Sequence, residues 1–196
     1  MQRPIHALAL TLPVLALLAA CGSKTETDTS MTNSGTTTEI STDTDNGAAN
    51  AMIATPAMTG QQFADTAAST DAYEIAAGKL AQEKATTQGL KDFGAMMVAN
   101  HTDSTNKLKK AASAASPAIV PNPMLTQEQE ANLAVLRSAT GADFDAAYRT
   151  QQIETHQKAL AALEGYGASG DVPQLKDWAG ETAPVVRKHL DSITGM

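Results

Sequence analysis

The chain of 196 residues carries 21 acidic against 14 basic residues, a formal charge of −7, with a single cysteine and only 4% aromatic residues. It contains no Lys/Arg-rich stripe, which argues against nucleic acid as a partner. A lone thiol excludes an internal disulfide, whatever the compartment.

The first element is not part of a fold. Arg3 precedes an apolar run, "ALALTLPVLALLAA", from Ala7 to Ala20, shorter than the roughly 20 residues that span a bilayer. It reads as the hydrophobic segment of a secretory signal. The run ends in "LAAC", Leu18 to Cys21, which resembles the lipobox of bacterial lipoproteins. The resemblance implies a diacylglycerol on Cys21, cleavage before it and a membrane anchor. Gly22 and Ser23 follow, with no Asp at the second position, so lipoprotein sorting would favour the outer membrane, facing the periplasm. From Gly22 to about Asn50 the chain is dominated by Ser, Thr, Asp, Asn and Gly. Nothing there can build a core, and the segment is expected to be a disordered tether.

Helix signals then recur. "TGQQ" at Thr59–Gln62, "TQEQ" at Thr126–Gln129 and "DVPQ" at Asp171–Gln174 each have the form of an N-terminal capping arrangement. Ala-rich stretches follow them. The expected helices are Gln61–Ala85, Gly89–Ala114, a short one at Gln127–Ala139, Asp143–Tyr166 and Val172–Ile193. Stops lie at Pro117, Pro121 and Pro123, and again at Gly165, Gly167 and Gly170. Pro184 falls inside the last helix, where a kink is expected. Strand patterns are absent. Four long helices, two short turns and one long connection make an all-α, ferritin-like four-helix bundle, whose crossover carries the short helix. The second and third long helices should then run parallel. The domain organisation is a lipoprotein signal peptide at 1–20, an acylated cysteine and tether at 21–58, and the bundle at 59–196.

The apolar face of each long helix is interrupted by polar side chains. Phe63, Ala67, Thr70 and Ala77 share a face with Glu74. Leu90, Phe93, Met97, Ser104 and Leu108 share one with His101. Phe144, Tyr148 and Leu163 flank Asp145, Gln152 and His156. Trp178, Thr182 and Val186 share a face with His189. Taking the first turn as centred near Gln88, Glu74 and His101 should sit level and hydrogen-bond. His189 should lie roughly 7–9 Å from both His156 and Asp145, at 1.5 Å rise per residue.

Two readings stay open. The inward Glu74, His101, Asp145, His156 and His189 form a structural polar network that fixes helix register, or they hold one transition-metal ion such as zinc, copper or iron. Met97, one turn before His101, would suit Cu(I) but is the ordinary choice for core packing. Convergence of the rings on one point would mark a metal site, and separate pairs a network. A ferritin-type di-iron centre needs two Glu-x-x-His motifs. Here Val98, Ile153 and Val186 stand three residues before the three histidines, which argues against it. No nucleophile elbow or phosphate-binding glycine loop occurs, so no enzyme is expected.

The segments "FADTAASTDAYEIAAGKL", "FGAMMVANHTDSTNKL", "FDAAYRTQQIETHQKAL" and "LKDWAGETAPVVRKHL" together resemble the bacterial domain-of-unknown-function 4142 family, from about Phe63 to Leu190. The resemblance implies a ferritin-like fold and an exported protein, often an outer-membrane one. It implies no activity. Its pattern picks out Glu74, His101, Phe144–Tyr148, His156 and Pro184–His189. The expected function is a non-catalytic cell-envelope lipoprotein with a role in envelope integrity or stress. Its membrane contact would be the lipid on Cys21, and its protein partner is not specified by the sequence.

Overall fold

A computed structural model of the chain describes residues 58–196. The expected signal peptide, Cys21 and nearly all of the tether lie outside the described residues. Five helices follow in order: α1 (Gly60–Lys84), α2 (Gln88–Ser113), α3 (Gln127–Ser138), α4 (Gly141–Ser169) and α5 (Pro173–Thr194). Among the described residues there is no strand, and no helix is long and apolar enough to cross a membrane.

Two of the three expected caps form. Thr59 and Thr126 each close a capping box, with Gln62 and Gln129 reaching back to the cap amide. The third does not. The residue preceding α5 is Val172, without a side-chain cap, because Asp171 instead accepts the phenolic hydrogen of Tyr166 at 2.8 Å. The same tyrosine explains why α4 runs through Gly165 and Gly167 to Ser169. Its ring stacks on Phe63 at 3.9 Å, which holds the last turns in place. The chain leaves only at Gly170, where any Cβ would strike that ring at 2.5 Å. α5 is helical on both sides of Pro184.

Asp71 on α1 meets His101 on α2, Gln152 on α4 meets Glu74, and Asn100 on α2 meets His189 on α5. With Thr86 bonded to Asp145 at one end and Phe63 stacked on Tyr166 at the other, α4 runs antiparallel to α1 and therefore parallel to α2. This is the expected crossover bundle. The connection from α2 to α4 is fastened to α1: Gln61 donates to the Val120 carbonyl at 3.0 Å, and Asp65 accepts the Asn122 amide at 2.8 Å. Lys84 caps the C-terminal carbonyls of α3, Leu136 at 2.8 Å and Arg137 at 2.6 Å.

The core divides into two apolar clusters. One, at the α1–α2 turn, contains Tyr73, Phe93, Met97, Phe144, Tyr148 and Ile193. The other, at the α4–α5 turn, contains Phe63, Leu108, Leu163, Leu175, Trp178 and Val186. A polar layer of Asp71, Glu74, His101, Gln152, His156 and His189, each at most 6% exposed, lies on the same four helices between the positions that build the two clusters.

Candidate metal centre

Each of the four long helices contributes to the polar layer. α1 supplies Asp71 and Glu74, α2 supplies Asn100 and His101, α4 supplies Gln152 and His156, and α5 supplies His189. The three imidazoles face one another, with ring centroids 5.5 Å (His156–His189), 5.7 Å (His101–His189) and 6.0 Å (His101–His156) apart. One ring nitrogen of each lies within 4.8 Å of those of the other two.

Each ring is held by its other nitrogen. Nδ1 of His101 is 2.8 Å from Asp71 Oδ1, and the Thr105 hydroxyl steadies the second Asp71 oxygen at 3.2 Å. Nδ1 of His156 donates to the Gln152 carbonyl at 2.8 Å. Nε2 of His189 is 2.9 Å from the Asn100 amide. What remains is one buried nitrogen per ring without a partner: Nε2 of His101, Nε2 of His156 and Nδ1 of His189. Buried polar atoms are rarely left unpaired, and here three of them belong to mutually facing rings.

Glu74 stands beside this set. Its Oε2 accepts from Gln152 Nε2 at 2.6 Å, while Oε1 has no hydrogen bond and lies 3.8 Å from His156 Nδ1. Complete burial pushes the Glu74 carboxyl up to about 7, against the pull of charged His101 and the Gln152 bond. Burial, reinforced by the His101 charge, pushes His156 down to about 3 and His189 down to about 4. Burial acts the same way on His101, but its bond to Asp71 and the charges of Glu74 and Asp71 outweigh it and raise its value. His156 and His189 are therefore neutral near pH 7 and have lone pairs to offer. The 3.8 Å approach of Glu74 to a neutral His156 is not an ion pair.

Three expectations are corrected by this geometry. His101 pairs with Asp71, not with Glu74. The α1–α2 turn centres on Thr86 rather than Gln88, and Asp71 and His101 are equidistant from Thr86. Asp145 does not join the layer. It lies near the start of α4, level with the α1–α2 turn, and there accepts the Thr86 amide at 3.0 Å and the Thr86 hydroxyl. His156 is three helical turns further on, about 16 Å at 1.5 Å per residue. His189 is closer to His156 than 7–9 Å, with ring centroids 5.5 Å apart. The reason is that α4 runs on to Ser169 and the α4–α5 turn centres near Asp171, which leaves the two about three residues, roughly 4.5 Å, from level.

Asp71, Asn100 and Thr105 were not among the candidate residues. Asp71 had a legible signal, since it falls one turn before Glu74 on the same face. Asn100 had none, because it precedes His101 and so points about 100° away from it on the wheel. Met97 packs in the turn-end cluster.

On the α4–α5 side, His101 and His189 border a cavity of about 60 Å³, closed by Phe63, Leu163, Trp178 and Val186 and reaching the half-exposed Ser104 and Thr182. A smaller void of about 10 Å³ lies against Glu74, His101 and His156.

Fold and site together define a helical-bundle protein with a buried, three-imidazole donor set. The chain belongs to the DUF4142 family, a domain of unknown function, whose pattern matches residues 45–196. Among solved structures it is similar to CopM in the Cu(II)-bound form, with a TM-score of 0.59 and 18% identity over 70% of this chain and 94% of that one. At that identity the likeness concerns the fold. No curated protein matches the chain.

Proposed function

We propose that this protein binds one late first-row transition-metal ion, copper foremost, through Nε2 of His101, Nε2 of His156 and Nδ1 of His189. The observation that carries the reading is a trio of buried, facing imidazoles that offer one ring nitrogen each within 4.8 Å of one another, every ring having one nitrogen without a partner. Three points that close share a centre no more than about 2.8 Å from each, and metal–imidazole bonds are about 2.0–2.1 Å. A contraction of less than an ångström per ring therefore completes the contact.

The holding groups fit the same reading. A ligating histidine characteristically donates its other N–H to a carboxylate or backbone carbonyl, as His101 and His156 do toward Asp71 and Gln152. An Asn100 amide turned by half a rotation offers its oxygen to Nε2–H of His189 and leaves Nδ1 basic. Three imidazoles suit copper, zinc, iron and nickel, and Cu(II) heads the affinity order for such donors. The similarly folded CopM is described in a Cu(II)-bound form, which agrees with that choice. Glu74 is the adjacent carboxylate that offsets the ion's charge.

The hydrogen bonds that orient the rings also tie α1 to α2 and α2 to α5, so the register-fixing role expected of these residues accompanies metal binding rather than competing with it. Placement in the cell envelope rests on the Cys21 lipobox and is part of this proposal. Loss of acyl labelling in Cys21→Ser, with release from the membrane fraction, would support it.

Metal content of the chain, exported and purified without chelator or affinity tag, tests the central claim. One ion per chain is expected, with loss in each of His101→Ala, His156→Ala and His189→Ala. A folded, metal-free protein that refuses added copper and zinc overturns the claim and leaves the layer as structure alone.

A further inference from the structure

The cavity beside the rings is built from residues that leave space where a core would normally fill it. Thr70, Ser104 and Thr182 occupy inward-facing positions at which leucine would close the bundle, and all three line the void. Native interiors pack to the density of organic crystals, so an opening of about 60 Å³ against two of the three rings is a local exception. Its walls are mostly apolar. Among the described residues, Asp71 is the only carboxylate bordering it and already holds His101, and no lysine or arginine lines it. Trp178 does line it, 5% exposed, with an indole Nε1 that has no acceptor.

We propose that this cavity seats a small exogenous ligand of the metal, a monodentate anion of about three atoms or fewer, which reaches the ion between His101 and His189. The inference rests on the metal reading above and deepens it. Three protein ligands around a metal leave a coordination position open, and an open position needs an adjoining space to be useful. His101 and His189 line this space, so an ion held by their free nitrogens borders it. The size limit follows from the volume: a water needs about 10–15 Å³ by the same measure, so a few water-sized groups fit and a chelating organic molecule does not. The charge follows from the donors. A metal cation on one side, with the Trp178 indole N–H and the hydroxyls of Thr70, Ser104 and Thr182 as hydrogen-bond donors, favours an anion whose far end accepts.

Azide is the probe. The full-length chain, carrying Cys21→Ser so that its one thiol does not compete for copper, is loaded with one Cu(II). Electron paramagnetic resonance then establishes nitrogen coordination before azide is titrated. The expected result is a saturable azide-to-copper charge-transfer absorption. Thr182→Leu, which fills the cavity without touching a ligand, should keep its copper and weaken azide binding at least tenfold. Trp178→Phe should weaken it severalfold. Circular dichroism confirms that each variant is folded, and if Thr182→Leu is not, Trp178→Phe carries the decision. Bound copper whose spectrum ignores azide, or a folded Thr182→Leu that binds azide like the parent, overturns the proposal while leaving the metal reading intact. A chain that shows no nitrogen-coordinated copper overturns both.

Discussion

The two halves of the bundle are built from the same helices yet packed to different standards. At the α1–α2 turn, Gly78 and Gly94 let the two backbones approach so closely that a Cβ on either would meet the other's carbonyl oxygen at 2.7 Å. Phe93, Phe144 and Tyr148 interlock there, and α3 adds Leu133 and Leu136. At the α4–α5 turn the aromatic residues are as large, with Phe63 stacked on Tyr166 and edge-on to Trp178 at 5.8 Å. Even so, a void survives beside the histidines. The sealed half supplies stability, and the hollow half gives up some of it next to the polar layer. That is where a binding site is expected to break the packing rules.

Stability measurements can break this comparison first. In urea unfolding of the metal-free protein, Phe144→Ala in the sealed half should cost about 3–5 kcal/mol, and Leu163→Ala on the cavity wall only about 2–3, because the wall can relax into existing space. Equal costs would erase the distinction.

The boundary layer offers a sharper test by NMR titration of the metal-free protein. The imidazoles of His156 and His189 should stay neutral until about pH 3 and about pH 4, whereas His101, raised above its ordinary value, should be the first to protonate as pH falls. Three rings titrating together near 6.5 would mean that the layer is wet.

A smaller effect is expected from Asp71→Asn, which keeps the shape but removes the charge that orients His101. Copper affinity should fall by about 10–100-fold with the fold unchanged, the usual scale for a group that holds a ligand. The smallest effects have opposite signs. Gly78→Ala should destabilise by about 1–3 kcal/mol through its clash. Thr182→Leu should stabilise by about 0.5–2 kcal/mol by filling the cavity. A stabilising Gly78→Ala would contradict the sealed half.

Much of the fold was legible because its signals are local. Thr59 and Thr126 announced two helix starts, the prolines marked the connection, and the 3.6-residue periodicity put Glu74, His101, His156 and His189 inside. The failures concern height along the bundle. A misjudgement of the first turn by about two residues moved the partner of His101 from Asp71 to Glu74, one helical turn away. Asp145 was assigned an inward face and is half-buried, but direction alone could not tell that it lay level with Thr86. Asn100 illustrates the remaining limit. Its contact with His189 depends on how α2 and α5 pack, which no pattern within either helix encodes.

The donors of the proposed site come from α2, α4 and α5, and α1 holds His101 through Asp71, so the site exists only while all four long helices are assembled. An ion bound there adds to folding free energy through mass action, by about 4 kcal/mol at a thousand times its dissociation constant. Without it, the same chain keeps three buried nitrogens without partners and a completely buried carboxyl group, and it would open more often to proteases. If the proposed site fills, the survival time of the protein would thereby become a record of metal supply, written by degradation rather than by gene expression.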